Sequence, residues 1–185
     1  MAEYSIVSFF TIFTEMIEIK KASHADIPLI NKLGNIAFTD TYLSILTQEQ
    51  ITYMLDWMYS QENLAKQIKD GHVYYIGYSD GTPFGYLSVQ RENDTTFHLQ
   101  KIYLLKEFQK KGLGELLFKQ AISHVEEMCS SPCRMILNVN RNNSAKGFYE
   151  KMGMEKIDEG DFPIGNGYYM NDYIMGIGVN GGLLK

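Results

Sequence analysis

Hydrophobic spacing changes its period at Gly112. Upstream, residues 96–105 (TFHLQKIYLL) are dense in aromatic and aliphatic side chains and read as a strand. Downstream, Leu113, Leu116, Leu117, Ala121, Val125 and Met128 recur at three- and four-residue steps and make one apolar face of a helix. A strand that passes through Gln109-Lys110-Lys111-Gly112-Leu113-Gly114 straight into an amphipathic helix calls for a sheet with a helix laid against it.

The rest of the chain extends that pattern. Ile17 and Ile19 alternate with Glu18 and Lys20, which predicts a first strand over 17–21. Ser23 followed by Asp26 opens a helix carrying Ile27, Ile30 and Leu33. Thr47 and Gln50 repeat the signal ahead of Ile51, Met54, Leu55 and Met58, and a further helix over 62–69 stops at Gly71. Residues 73–78 and 84–90 flank Ser79-Asp80-Gly81-Thr82-Pro83 and read as a hairpin. A strand over 134–139, a helix over 143–152 closing on Gly153, and a last strand over 168–176 complete the order. The class is α/β: a mixed sheet with helices on both faces. One domain is expected over residues 16–179, with 1–15 as an N-terminal extension and 180–185 as a frayed tail.

A length of 185 residues suits one domain with a full core. The net charge of -5 argues against a general nucleic-acid binder, whose phosphate contacts need clustered Lys and Arg, and leaves a cationic substrate open. The apolar run 4–13 is too short to span a membrane and has neither a basic flank nor a cleavage site, so no membrane partner and a cytoplasmic location are expected. Cys129 and Cys133 lack two further ligands at metal spacing. They read as reduced thiols in a helix-to-strand connection, with a redox pair as the alternative, and no metal is expected.

Chemistry concentrates in two runs. At Gln109-Lys110-Lys111-Gly112-Leu113-Gly114, free amides at a helix start favour an anion, glycine lets the backbone approach phosphate, and two lysines add charge. No Gly-Lys-Ser/Thr follows, so the run is not a P-loop. About thirty residues later comes Asn142-Asn143-Ser144-Ala145-Lys146-Gly147-Phe148-Tyr149-Glu150-Lys151-Met152-Gly153. Each run alone also suits an ordinary capped helix.

Together, Gln-x-x-Gly-x-Gly after a strand and Asn-x-x-Ala-x-x-Phe-Tyr-x-x-x-Gly resemble the GNAT N-acetyltransferases over roughly residues 17–175. The resemblance implies the GNAT fold, with a central, mostly antiparallel, twisted sheet, and acetyl-CoA as cosubstrate. By it, the backbone of Ile102, Tyr103 and Leu104 would pair with the pantetheine arm. Gln109, Lys110, Lys111, Gly112, Leu113, Gly114 and Glu115 would hold the pyrophosphate, and Asn142 and Lys146 would lie along the cofactor. Tyr149 would protonate the departing thiolate. Many relatives carry a glutamate base on the strand before the glycine loop, where this chain has Gln100. On strict alternation His98, Gln100, Ile102 and Leu104 share one face, which makes His98 the candidate base acting through water, beside its plainer reading as a strand histidine.

Within the family the chain is most similar to bacterial spermidine/spermine N-acetyltransferases, through Phe38-Thr39-Asp40-Thr41-Tyr42, the glycine loop and the closing strand around Asp172-Tyr173-Ile174-Met175. A small-molecule polyamine acceptor would then meet Asp40, Tyr42, Asp56 and Trp57. Two other readings stand beside it: a protein N-terminal or lysine acetyltransferase, and a non-catalytic acetyl-CoA-binding regulatory module. GNAT proteins are often dimers, so the resemblance leaves a homodimer open.

Overall fold

A computed structural model describes residues 15–184. Of the expected N-terminal extension only Glu15 falls within them; the rest of 1–15 lies outside the described residues. Seven strands form one sheet: β1 (Ile17–Lys21), β2 (His72–Ser79), β3 (Thr82–Arg91), β4 (Thr96–Leu104), β5 (Cys133–Asn140), β6 (Glu155–Gly165) and β7 (Tyr168–Val179), in the spatial order β1-β2-β3-β4-β5-β7-β6. Every neighbouring pair is antiparallel except β4 and β5.

The two faces bury separate cores. On one, α4 (Leu113–Met128) and α5 (Lys146–Lys151) cover Leu87, Val89, Phe97, Leu99, Met135 and Leu137. On the other, α1 (Ile27–Tyr42), α2 (Gln48–Tyr59) and α3 (Gln61–Lys69) cover Tyr74, Ile76 and Tyr86. Local chemistry starts the helices where expected. Ser23 and Asp26 form a reciprocal capping box before α1, and Thr47 and Ser60 cap α2 and α3 through the amides of Gln50 and Asn63.

Four features depart from the sequence reading. β6 was not expected: it is an edge strand paired only with β7, rich in charge and interrupted by Pro163, and its apolar alternation is confined to Phe162 and Ile164. α5 is shorter than residues 143–152, because the Asn143 side chain takes the Ala145 amide and holds an Asx turn ahead of the helix. Residues 180–184 are held rather than frayed, by Asn180 Nδ2 to the Cys129 carbonyl at 2.6 Å and Arg134 to the Leu184 carbonyl at 3.4 Å. Finally, β4 carries a bulge: Val89 faces Leu99 but Ser88 faces Lys101, so Gln100 is an extra residue. The assumed common face therefore breaks. Ile102 and Leu104 turn with Phe97 and Leu99 toward α4, while Lys101 and Tyr103 turn toward α1 and α3.

Candidate active site

β4 and β5 stay together only from Thr96–Arg134 to His98–Ile136. Beyond Gln100 the bulged β4 follows β3, while β5 continues to Asn140 against β7. The sheet thus opens into a gap between two unpaired strand edges, and the β4 edge leads on to the glycine loop. The Leu105 amide donates to the Phe84 carbonyl on β3, so by antiparallel alternation the Tyr103 amide also faces β3, opposite Tyr86. The amides of Ile102 and Leu104 therefore face the gap. An extended chain with carbonyl and amide groups can add there as a strand would. Of the three backbone positions expected to pair with a cofactor, Tyr103 is corrected: its backbone is spent on β3, and it borders the gap through its side chain.

Past β4 a short 3-10 turn, Lys106–Phe108, leads to the glycine loop. Gln109 Nε2 donates back to the Leu104 carbonyl at 3.4 Å, tying the loop to the strand end. Lys110 has φ 62° and Gly112 φ 80°, the left-handed region that favours glycine. Helix α4 then closes its first turn by Glu115 and Leu116 bonding the Gly112 carbonyl. Among the described residues, the amides of Gly112, Leu113 and Gly114 have no backbone partner and face the helix N-terminus, an anion site by dipole and donor count. Lys110 and Lys111 are exposed beside it.

The second motif meets the first across Gly114. The Phe148 ring lies 3.6 Å from where a Gly114 Cβ would stand, and Phe148 packs edge-on to Phe118 and Tyr149. α5 thereby sets Tyr149, 8% exposed, near Tyr42 of α1 and Tyr103 of β4, whose hydroxyls share its field. Burial, followed by the field of Tyr42, pushes the Tyr149 hydroxyl well up. It stays protonated at any physiological pH and can donate to a leaving sulfur. Lys146 pairs with Glu150 and lies over the Tyr173 ring, and Asn142 is exposed, its amide held by Asn140 Oδ1 at 3.0 Å.

The α1 face of the gap is lined by tyrosines. Tyr42 tilts against Phe38, with ring centroids 4.4 Å apart, and its hydroxyl faces Tyr103 and Asn143. Burial pushes Tyr42, Tyr59, Tyr86 and Tyr103 up, so all remain neutral hydrogen-bonding groups. Farther out, Tyr53 stacks with Trp57 at 6.4 Å and tilts on Tyr168 at 5.5 Å, its hydroxyl bonded to the Ile164 carbonyl. Trp57 is 47% exposed, so it stands at the surface rather than in the core.

Not every expected residue joins this cluster. Asp40 and Tyr42 are two positions apart on α1, about 200° around the helix, so Tyr42 turns in and Asp40 stays exposed. Asp56 is exposed on α2. His98 stands at the closed end of the β4–β5 pair, its Nδ1 2.7 Å from Glu92 Oε1. At about 3.3 Å per residue it lies on the order of 13 Å along the strand from Ile102. It is not brought together with Tyr149. Sequence reasoning passed over Asp172 as a site residue. It is 5% exposed on β7 and accepts Asn138 Nδ2 at 3.3 Å. The available signal was an acid on the same strand face as Met170 and Ile174.

A split sheet with a free strand edge, and a helix start with unpaired amides at its end, can hold a phosphorylated, amide-bearing cofactor. The sequence matches the family described as acetyltransferase (GNAT) domain over residues 42–166, and the chain belongs to that family. An uncharacterised N-acetyltransferase from the pepI 3′ region of Lactobacillus delbrueckii subsp. lactis is 27% identical over 159 residues, covering 81% of this chain and 91% of that protein. PaiA N-acetyltransferase from Thermoplasma acidophilum, solved in complex with coenzyme A, is 25% identical, with TM-score 0.71 over 87% of this chain and 98% of that one. YncA of Salmonella typhimurium, solved with its cofactor acetyl-CoA, shares the fold at 20% identity, with TM-score 0.61 over 88% and 93%. The protein is an N-acetyltransferase with acetyl-CoA as cosubstrate. Among the described residues no helix is long and apolar enough to cross a membrane.

Proposed function

We propose that the protein moves the acetyl group from acetyl-CoA directly to the primary amine of a small cationic acceptor, with a polyamine as the acceptor of choice. The observation that carries this reading is the gap between β4 and β5, which has the Ile102 and Leu104 amides on one side and the Tyr149 hydroxyl at its mouth. The pantetheine arm adds along β4, and the pyrophosphate rests on the amides of Gly112, Leu113 and Gly114, with Lys110 and Lys111 adding charge. Gln109 holds the loop in place through Leu104. Glu115 starts the helix, and its carboxylate pairs with Lys119.

The neutral amine attacks the thioester carbonyl, and the oxyanion draws on a strand amide at the gap, for which Leu104 is suited. The carbon–sulfur bond breaks and the sulfur takes a proton from Tyr149. Both substrates are held at once, so no acyl-enzyme is needed. Tyr53, Trp57 and Tyr168 offer π faces for the methylenes and ammonium groups of an extended polycation.

Titration calorimetry with acetyl-CoA, followed by thiol release across amines, tests the reading. Spermidine should turn over faster than a peptide bearing a free N-terminal alanine. The reverse order supports a protein N-terminal acetyltransferase. Tight binding with no release from any amine supports a regulatory module and refutes direct acetyl transfer.

A further inference from the structure

We propose that Asp172 is the group that takes the proton from the acceptor's ammonium, a role that rests on the amine-acetylating reading above. Asp172 occupies an inward position of β7, in register with Asn140, the last residue of β5, and with Gly160 of β6. The chain turns at Asn140 into the segment that carries Tyr149, and Tyr42 of α1 feels the field of Asp172 while Tyr149 feels that of Tyr42, so Tyr42 lies near both the carboxylate and the phenol. Oδ2 accepts Asn138 Nδ2 at 3.3 Å. Oδ1 is buried without a hydrogen-bond partner, the only such side-chain atom among the described residues. An unpaired buried acceptor is costly to keep, and a donor arriving with the substrate removes that cost. An ammonium N–H, direct or across one water, is such a donor.

The groups around Asp172 suit a proton acceptor. From β5 comes Asn138, and from α1 the neutral Tyr42. From the turn after β5 comes Arg141, which is already paired at 3.1 Å with Asp161 of β6; Asp161 also accepts Asn171 Nδ2. Gly160, directly opposite on β6, brings no side chain. Burial outweighs Asn138 and Arg141 and raises the Asp172 carboxyl, so it holds a proton more readily than an exposed aspartate. His98, by contrast, is engaged with Glu92 at the closed end of the strand pair.

The step balances. An ammonium N–H bond breaks and its proton goes to Asp172 Oδ1. The freed lone pair forms the C–N bond to the acetyl carbon. The C–S bond then breaks, and the sulfur takes the Tyr149 proton. The second proton lost by nitrogen restores Tyr149, and the Asp172 proton passes to solvent with the products.

The test is Asp172→Asn, read as kcat/KM against pH, with acetyl-CoA affinity measured by calorimetry. The expected result is a loss of about 10²-fold near neutral pH, with cofactor Kd within twofold of wild type. The deficit should shrink about tenfold per pH unit as pH rises toward the acceptor's own pKa, because free amine then replaces the missing base. An acceptor amine of low pKa should restore most of the rate. A deficit constant across pH, or loss of the acidic limb in His98→Ala instead, overturns the assignment. Should Asp172→Asn not fold, Asn138→Ala removes the carboxylate's donor and should move the acidic limb upward; an unmoved limb overturns the assignment equally. A wild-type protein that turns over no amine sinks the functional reading together with this one. A working enzyme whose Asp172→Asn variant keeps the wild-type limb sinks this one alone.

Discussion

Replacing Lys101 with methionine should stabilise the protein by an amount that falls as pH rises. Lys101 follows the bulge on β4 and is 7% exposed. Its Nζ donates to Gln67 Oε1 at 2.7 Å and lies 5.7 Å from the ring centroids of Tyr59 and Tyr74. Among the described residues no carboxylate pairs with it. Burial lowers its pKa from 10.5 to about 7. Between those values the unfolded chain holds the proton and the folded one does not, so wild-type stability climbs with pH. At about 1.4 kcal/mol per unit, the window is worth roughly 5 kcal/mol, fully present above pH 10.5 and lost as pH falls to about 7. Methionine has similar length and no proton to lose, and Gln67 Oε1 keeps the Tyr74 hydroxyl as a donor. Urea unfolding of both proteins at pH 7, 8 and 9 isolates the effect, because other titrations cancel in the difference. The advantage of Lys101→Met should be largest at pH 7 and narrow by about 1.4 kcal/mol per unit. Parallel stability curves would refute the claim that Lys101 is buried as a neutral amine.

Three further outcomes follow from the same geometry. Tyr149→Phe should lower kcat about 10²-fold with acetyl-CoA affinity unchanged in calorimetry; a kcat within twofold of wild type excludes the acid role. Gly112→Ala meets no atom within 4 Å but must adopt φ 80°, so a cost of roughly 1–2 kcal/mol should lower Tm by about 2–8 °C. Its methyl group should also weaken acetyl-CoA binding, and an unchanged Kd would place the pyrophosphate elsewhere. Trp57→Ala should raise KM for a polycationic acceptor and leave cofactor affinity and Tm nearly untouched, since Trp57 is half exposed; an unchanged KM removes it from the acceptor wall.

What could be read from the sequence was whatever is written in local order. The glycine loop, the Phe148–Tyr149 helix and the capping residues act within a few positions of themselves, so spacing alone located them. The features that failed to show are those decided between distant segments. β6 is held by β7 alone, and only Phe162 and Ile164 alternate as apolar residues among its charges, with Ile157 out of phase, which is too short a signal to read as a strand. The Gln100 bulge is a mismatch of register between β3 and β4, and neither strand's own sequence records it. That single extra residue has large consequences. It sends Ile102 and Leu104 back to the α4 face, turns Lys101 into the tyrosine layer, and lies where β5 parts from β4. His98 shares a face with Ile102 only if β4 alternates without a break. With the bulge in place, His98 falls at the closed end of the pair. Asp172 comes to the open end from the far side of β5, on a strand 72 positions away in sequence from Gln100. A carboxylate on an otherwise apolar strand face is the one local trace of that arrangement, and it acquires meaning only once the sheet order brings β7 to the gap.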